Sequence, residues 1–579
     1  MAAGGGCLSC LAVRGLPGER IGGVERAALA ALFATNFALR VVYVFAFRFD
    51  SDETQHLHVS WGWAQGLVQY RDLFDNHTPL FHLLFAPLLA LAPEGPGLLY
   101  AMRLAMLPIA AALLVLTFAL GRRLFSLRVG LWAAALAGLF PRVFLRTVEF
   151  RPDNLWAVLW LAALVVAVSG RSTRRRGLAV GALLGLASAA SIKTAVLLAS
   201  LAGAAAFAWA LSPWLRQRAP LRAQAGYAAF FAGGLVLAPA VFVAFYAALG
   251  SLDALRYCVL THNSLAGLGV WDFGLPRLSR FAAVLAASAG LAALLLRRSG
   301  DPRLGVRRAV VFLAAAGGQA FLGELCPIWE PEHGLPYYPV GVLFATAALA
   351  MGVRGAARMV EGLPRRQALL AALAGALALV ELGVLVARLG SPANKADATA
   401  AVIADVVALT DRGDPVMDLK GETVFRGRPF YYALEEVTRR KLSRGLIADS
   451  IPDRILATHT CVAVLDHPYF PPLGRAFMNE AFVPVGRLRV CGGVLDPELR
   501  SQQFDVLLPA RYAIVADAGE VAGWLDDEPY AGPRFLAAGP HRFRARDSAP
   551  QRLAFIWAQA PERGFSPFDA NIVLSSASR

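Results

Sequence analysis

Between Phe49 and Pro87 the chain reads FDSDETQHLHVSWGWAQGLVQYRDLFDNHTPLFHLLFAP, which sets Asp50, Asp52, Glu53, Asp72 and Asp75 beside His56, His58, His77 and His82. The whole chain is 57% hydrophobic and only 17% charged, so this density of ionisable groups is not needed for packing. Near a bilayer, carboxylates persist where water, a pore or a reacting ligand compensates them. Acids beside imidazoles suit proton transfer to and from a hydroxyl. They also suit a cation: Asp52 and His56 stand one helical turn apart, with Glu53 and His58 as neighbours, which makes Asp52 and His56 candidate ligands for a divalent metal. Asp50-Ser51-Asp52 is literally a DxD, a metal–nucleotide signature. An outward-facing loop would meet few nucleotide sugars, and the chain has neither a P-loop nor a strand-linked GxGxxG.

A second group stands far along the chain, where VEFRPDNLW carries Glu149, Arg151 and Asp153. If Asp52 and Asp153 return to one membrane face, they could act as general base and electrostatic partner in a transfer reaction. Asp153 has a plainer role open to it, since a Pro-Asp pair suits the first turn of a helix as a cap. Lys193 is the only lysine in the first 394 residues. Its ammonium could neutralise a lipid phosphate, or it could simply snorkel from a helix end. Arg103 has the same two readings. Trp61, Trp63 and Tyr70 suit an interfacial aromatic belt, or stacking on a sugar.

The elements that must position these groups are membrane spans. The mean hydropathy of +0.52 and repeated Ala, Leu and Val runs place the chain in the polytopic membrane class. The first 25 residues hold no apolar h-region, so the first span is expected to act as an uncleaved anchor. The net charge of +15 is gathered in clusters at Arg122–Arg128, Arg171–Arg176, Arg216–Arg222, Arg297–Arg308 and Arg354–Arg366. Such clusters mark cytoplasmic loops rather than a nucleic-acid surface. Threading them predicts about eleven spans, with twelve or thirteen as the upper bound: roughly 24–49, 97–120, 128–146, 153–169, 177–191, 193–211, 226–249, 278–297, 309–325, 337–353 and 367–389. The apolar piece 80–92 is short for a span and reads as interfacial or re-entrant.

This threading predicts a cytoplasmic tail over 1–23, a membrane domain over 24–390 with an outer-face loop at 50–96, and a periplasmic or extracellular domain over 391–579. The membrane would be a bacterial inner membrane. In the last domain VMDL and VAVLD read as strands, Phe430–Leu442 as a helix, and 504–558 as β-hairpins that include HRFRA and RLAFIWA. Of six cysteines, Cys7 and Cys10 form a CxxC without a second pair. Cys461 and Cys491 share the outer domain, where a disulfide is permitted and expected.

These motifs resemble the GT-C membrane glycosyltransferases of the dolichyl-phosphate-mannose protein mannosyltransferase group, which includes the bacterial aminoarabinose transferases. The resemblance covers about residues 24–390. It rests on the acidic pair Asp52-Glu53, on YRDLFDNHTPL (Tyr70–Leu80), on the RPD ending at Asp153, and on EHGLPYYP (Glu332–Pro339). It implies a polytopic α-helical protein with a C-terminal α/β and β-rich domain. It also implies an inverting, single-displacement transfer from a polyprenyl-phosphate-linked sugar to a lipid, glycan or protein acceptor. On that pattern Asp52 is the base, positioned by Glu53 and Asp153. Lys193, Arg151, His77, Arg103, Tyr70, Tyr337 and Tyr338 are donor- or phosphate-binding candidates. Two departures stand out: Thr78-Pro79 replaces the usual Pro-Pro, and His77 stands where some members carry lysine. Phosphate contact by His77 then depends on its protonation.

Two other classes compete with a transferase. A transporter or lipid flippase would place its ionisable groups near the midplane, where few candidates such as Glu381 fall. A non-catalytic polysaccharide-assembly protein would not need Asp52, Glu53 and Asp153.

Overall fold

The computed structural model describes residues 21–568 except 214, 216–220, 266–267, 269–273, 360–365, 392–395, 466–467, 497–498 and 547–551. Cys7 and Cys10 lie outside the described residues, as does most of the N-terminal tail. The chain is a multi-span membrane protein with a sheet-bearing C-terminal domain. Each segment expected to span is helical, two of them as broken pairs, and among the described residues seven helices are long and apolar enough to cross a bilayer.

The first ten helices are α1 (Gly23–Ala46), α2 (Ser51–Ala64), α3 (Leu80–Leu91), α4 (Gly97–Leu104), α5 (Leu107–Leu124), α6 (Leu127–Leu139), α7 (Pro141–Val148), α8 (Pro152–Val168), α9 (Arg174–Ala190) and α10 (Thr194–Leu211). Helices Leu221–Ala248, Gly274–Arg298, Pro302–Ala320, Tyr338–Met359 and Arg366–Leu389 follow. Two expected spans are interrupted. The second is split into α4 and α5 just before Pro108. The third bends by 65° between α6 and α7, where Pro141 opens the second piece and cannot continue the ladder of hydrogen bonds.

Polar groups of α1 repair that break. Asn36 and Arg40 donate to the Gly138 carbonyl at 2.6 and 3.1 Å, and Arg40 also reaches Thr147 Oγ1 at 2.5 Å. A buried arginine inside a span is tolerable because backbone oxygens satisfy its donors. The bend directs α7 and the segment Glu149–Asp153 toward the start of α2.

The C-terminal domain carries two sheets. One has the order β1 (Val416–Met417), β2 (Val462–Ala463), β4 (Leu488–Leu495), β11 (Leu553–Trp557), β6 (Ala510–Ala516), β9 (Arg534–Leu536), with β3 (Phe482–Val485) also paired to β4. The other runs β5 (Ser501–Val506), β10 (Gly539–Ala545), β7 (Gly523–Leu525), β8 (Glu528–Pro529). HRFRA and RLAFIWA both form strands, β10 and β11, and belong to different sheets. Each finds its partners among strands that bury the matching face. The expected helix over Phe430–Leu442 is also shorter, Glu436–Ser443. Glu435 caps it by accepting from the Val437 and Thr438 N–H groups, while Tyr431 and Tyr432 pack against Phe74.

Cys461 and Cys491 are joined by a disulfide with a Cα separation of 4.9 Å. The β2–β4 register, Val462 against Val490, sets them opposite one another. Their sequence separation of 30 corresponds to about 3–4 kcal/mol of loop-closure entropy removed from the unfolded chain. Replacing both cysteines with alanine is expected to lower the domain's denaturant midpoint accordingly; an unchanged midpoint would contradict this.

The domain does not stand apart from the membrane half. Val424 and Phe425 enter the same apolar core as Phe49, Leu57, Trp61 and Phe81. Arg426 binds Glu94 at 3.0 Å, and the Tyr431 hydroxyl donates to the Tyr70 carbonyl. The loop from 50 to 96 is thereby pinned between helices and sheet domain.

Candidate active site

Asp50 is the N-cap of α2, and its side chain accepts from the Asp52 N–H at 3.0 Å. Glu53 reaches back to the Asp50 N–H at 2.9 Å, which completes a capping box. The box occupies Asp50 and Glu53 and leaves the Asp52 side chain projecting from the first turn.

Arg151 joins this turn to the distant segments. Its guanidinium lies 2.6 Å from Asp52 Oδ2, 3.2 Å from Glu149 and 3.4 Å from Asp50, and it also binds Glu332. Arg146 supports the same acids, at 2.8 Å from Glu149 and 3.4 Å from Glu332. Four carboxylates around two guanidiniums fix the position of Asp52 through charge-assisted bonds. Burial would raise the Asp52 carboxyl, but Lys420 and then Arg151 outweigh it and hold it well below the usual carboxylate range. Glu149 goes the other way: burial pushes it up to about 7 against the pull of Arg146 and Arg151.

Lys193 and Asp153 form an ion pair at 2.7 Å. Asp153 makes no capping hydrogen bond in α8; its carboxylate is committed to the lysine instead. Asp75, wholly buried, holds His77 Nδ1 at 2.8 Å. Burial alone would lower the His77 pKa, yet the Asp75 charge prevails and raises it above the ordinary imidazole value. Lys193 and Asp153 are both near enough to His77 to act on it electrostatically. His56 faces His82 at 3.0 Å, and burial with the adjacent imidazoles lowers its pKa well below normal.

Exposure sorts these groups. The side chains of Asp52, His77 and Lys193 are 33%, 31% and 22% exposed, whereas those of Asp153, Arg151, Glu53 and Arg103 are 5% or less. Asp52, His77 and Lys193 are thus the most exposed of these groups, with Asp50 and Arg146 next at 19% and 17%.

Other expected site residues turn elsewhere. Glu53 is buried against Arg103 at 2.5 Å, and Arg103 also donates to the Phe47 and Arg48 carbonyls. The Tyr70 hydroxyl donates to the His77 carbonyl, so Tyr70 shapes the loop rather than lining open space. Tyr337 lies in the main apolar core, and Tyr338 accepts from Arg142. Asp52 and His56, the metal candidates, point to different partners. Among the described residues no cluster of three or more His, Cys, Asp or Glu is arranged to hold a metal.

Sequence reasoning missed Lys420, whose ammonium binds Asp52 Oδ1, and it missed Glu332, Arg146 and Asp75 as partners. For Lys420 a signal was present: the chain has four lysines, Lys193, Lys395, Lys420 and Lys441. The rarity that singled out Lys193 applies equally to Lys420.

No protein-family model and no curated protein sequence matches the chain. Among solved structures, it is similar to ArnT from Cupriavidus metallidurans bound to undecaprenyl phosphate, with TM-score 0.52 and 14% identity, covering 81% of this chain and 98% of that one. The apo oligosaccharyltransferase of Archaeoglobus fulgidus aligns with TM-score 0.46 and 11% identity, over 80% of this chain and 73% of that one. The alignment to ArnT spans nearly all of that protein's length and 81% of this chain, and the chain has the GT-C fold.

Proposed function

We propose that the protein is a membrane glycosyltransferase that moves a hexosyl or pentosyl unit from a polyprenyl-phosphate donor to an acceptor hydroxyl. The carrying observation is the exposed trio of Asp52, His77 and Lys193 beside the buried Arg151. A carboxylate for a proton and cations for a phosphate are what this displacement requires. The similar ArnT structure is bound to undecaprenyl phosphate, which supports the choice of donor.

In this scheme the acceptor oxygen attacks the anomeric carbon in one inverting step. The carbon–oxygen bond to phosphate breaks, and polyprenyl phosphate leaves with the electron pair. Asp52 accepts the hydroxyl proton. A carboxylate held at low pKa is a weak base, so the proton moves late, once the oxygen has bonded to carbon and become acidic. Lys193 and protonated His77 meet the phosphate, with Asp153 and Asp75 positioning them. The arginine clusters support a site on the outer, non-cytoplasmic face, in our reading that of a bacterial inner membrane. The acceptor, whether lipid, glycan or protein, is met on the same side as the docked domain. The test is purified protein in lipid nanodiscs with polyprenyl-phosphate sugars and membrane acceptors; released polyprenyl phosphate is expected, and its absence with every donor would reject the reading.

The charge on His77 gives a pH signature. Its pKa is raised, so the imidazolium is present below that value and is lost as pH rises through it. Affinity for polyprenyl phosphate should then fall by roughly tenfold, the worth of one charged hydrogen bond. The phosphate's own second ionisation, near pH ~6, adds charge in the opposite sense. Comparison with His77→Lys, which stays charged throughout, isolates the imidazole. Parallel binding profiles for the two proteins would remove His77 from the phosphate site.

A further inference from the structure

The sheet domain sends one cation into the membrane half's reaction centre, on a loop whose geometry is built for that approach. Lys420 follows β1, is 9% exposed, and binds Asp52 Oδ1, while Arg151 holds Oδ2. Asp418 closes the loop by accepting from the Gly421 and Thr423 N–H groups at 2.7 and 2.8 Å, the Thr423 hydroxyl at 2.9 Å and Arg428 Nε at 2.8 Å.

Gly421 has φ +97°, and a Cβ there would lie 2.7 Å from the His58 ring. Only glycine lets this backbone come so near α2. Val424 sits at φ +60°, a left-handed conformation that a β-branched residue adopts only when its surroundings impose it. Those surroundings include the bond from His58 Nδ1–H to the Val424 carbonyl at 2.8 Å and the Arg426–Glu94 pair. Strain and close approach concentrated in one loop make it a positioning device rather than a passive connection.

Asp52 with both oxygens held by cations is poorly prepared to accept a proton. Arg151 is fixed by Glu149, Glu332 and Asp50 as well. Lys420 has Asp52 as its ion-pair partner among the described residues, and its ammonium sits on a flexible four-carbon stem with three donors. A phosphate can compete for that ammonium where it cannot compete for Arg151.

Resting on the reading of a polyprenyl-phosphate donor, we propose that Lys420 holds Asp52 while the donor is absent and moves to the donor phosphate when it arrives. The phosphate gains a cation from the C-terminal domain, and Asp52 Oδ1 is freed for the acceptor hydroxyl. Donor binding thus prepares the base, and the C-terminal domain is part of the reaction centre.

Binding of undecaprenyl phosphate to the full-length protein in nanodiscs tests this, with undecaprenol as the phosphate-free control. Lys420→Met should weaken binding by about tenfold or more, as loss of a charged hydrogen bond implies, and Lys420→Arg should stay within a few-fold of wild type. Asp52→Asn should tighten binding, because the lysine no longer has a competing carboxylate. Adding Lys420→Met to Asp52→Asn should abolish that gain. This double variant leaves no carboxylate at position 52 short of one of its two cations, so it keeps the test open where the single methionine variant unfolds.

Equal affinity of Asp52→Asn with and without Lys420→Met would overturn the proposal, because the lysine would then serve only Asp52. Wild-type affinity in Lys420→Met would do the same. If the wild-type protein prefers undecaprenyl phosphate to undecaprenol by no measurable margin, the donor reading falls first and this inference with it. A clear preference that ignores Lys420 overturns this inference alone.

Discussion

Asparagine at position 52 is expected to lower glycosyl transfer by about 10²–10⁴-fold, the usual loss when a general base is removed, while the protein stays folded and still binds donor. The folding part follows from the capping box. Asp50 and Glu53 cap α2 and Asp52 does not, so asparagine leaves the helix start intact. The carboxamide still offers an oxygen to Arg151, which remains held by Glu149, Glu332 and Asp50. What disappears is the acceptor for the hydroxyl proton. Single-turnover rates with saturating donor separate this chemical defect from binding. Wild-type turnover in Asp52→Asn would end the base assignment. A loss in donor affinity with unchanged turnover would make Asp52 a positioning group instead.

The membrane helices were legible because long Ala, Leu and Val runs have one stable arrangement in a bilayer. The position of Asp52 was legible for a similar reason: a carboxylate beside an apolar span needs compensation. The division of labour around it was not. In DSDE the three carboxylates are separated by helix position: the N-cap and third residue are consumed by the cap, while the second projects from it to meet Arg151 and Lys420. Sequence spacing alone ranks Glu53 beside Asp52, but the fold turns Glu53 onto buried Arg103 and Asp52 onto Arg151 and Lys420. Lys420 lay further out of reach, because its approach depends on how a sheet domain docks on α2. The strand partners of β10 and β11 were hidden for the same reason, since period-two patterning marks a strand without saying which neighbour it takes.

That inward turn gives the other large effect. Glu53 and Arg103 are buried together, with contacts of 2.5 and 2.7 Å. Glu53 also accepts from the Phe150 N–H at 3.1 Å and the Asp50 N–H at 2.9 Å. It therefore ties the start of α2 to α4 and to the segment that carries Arg151. Removing one member of such a pair strands a buried charge and costs about 3–5 kcal/mol. Glu53→Gln keeps one acceptor oxygen, so either the Phe150 or the Asp50 N–H loses its partner, and Arg103 is left uncompensated. It is expected to lower thermal stability sharply, and Arg103→Met should do likewise by exposing Glu53 to the same penalty. The double variant Glu53→Gln/Arg103→Met carries no unpaired charge and should recover much of the loss, a coupling that a thermodynamic cycle measures directly. Turnover per folded molecule should remain near wild type in the double variant, because neither side chain faces the exposed trio. If instead the double variant is stable but inactive, Glu53 acts on the reaction itself, and the acidic pair at the head of α2 works as two catalytic carboxylates rather than one carboxylate and its anchor.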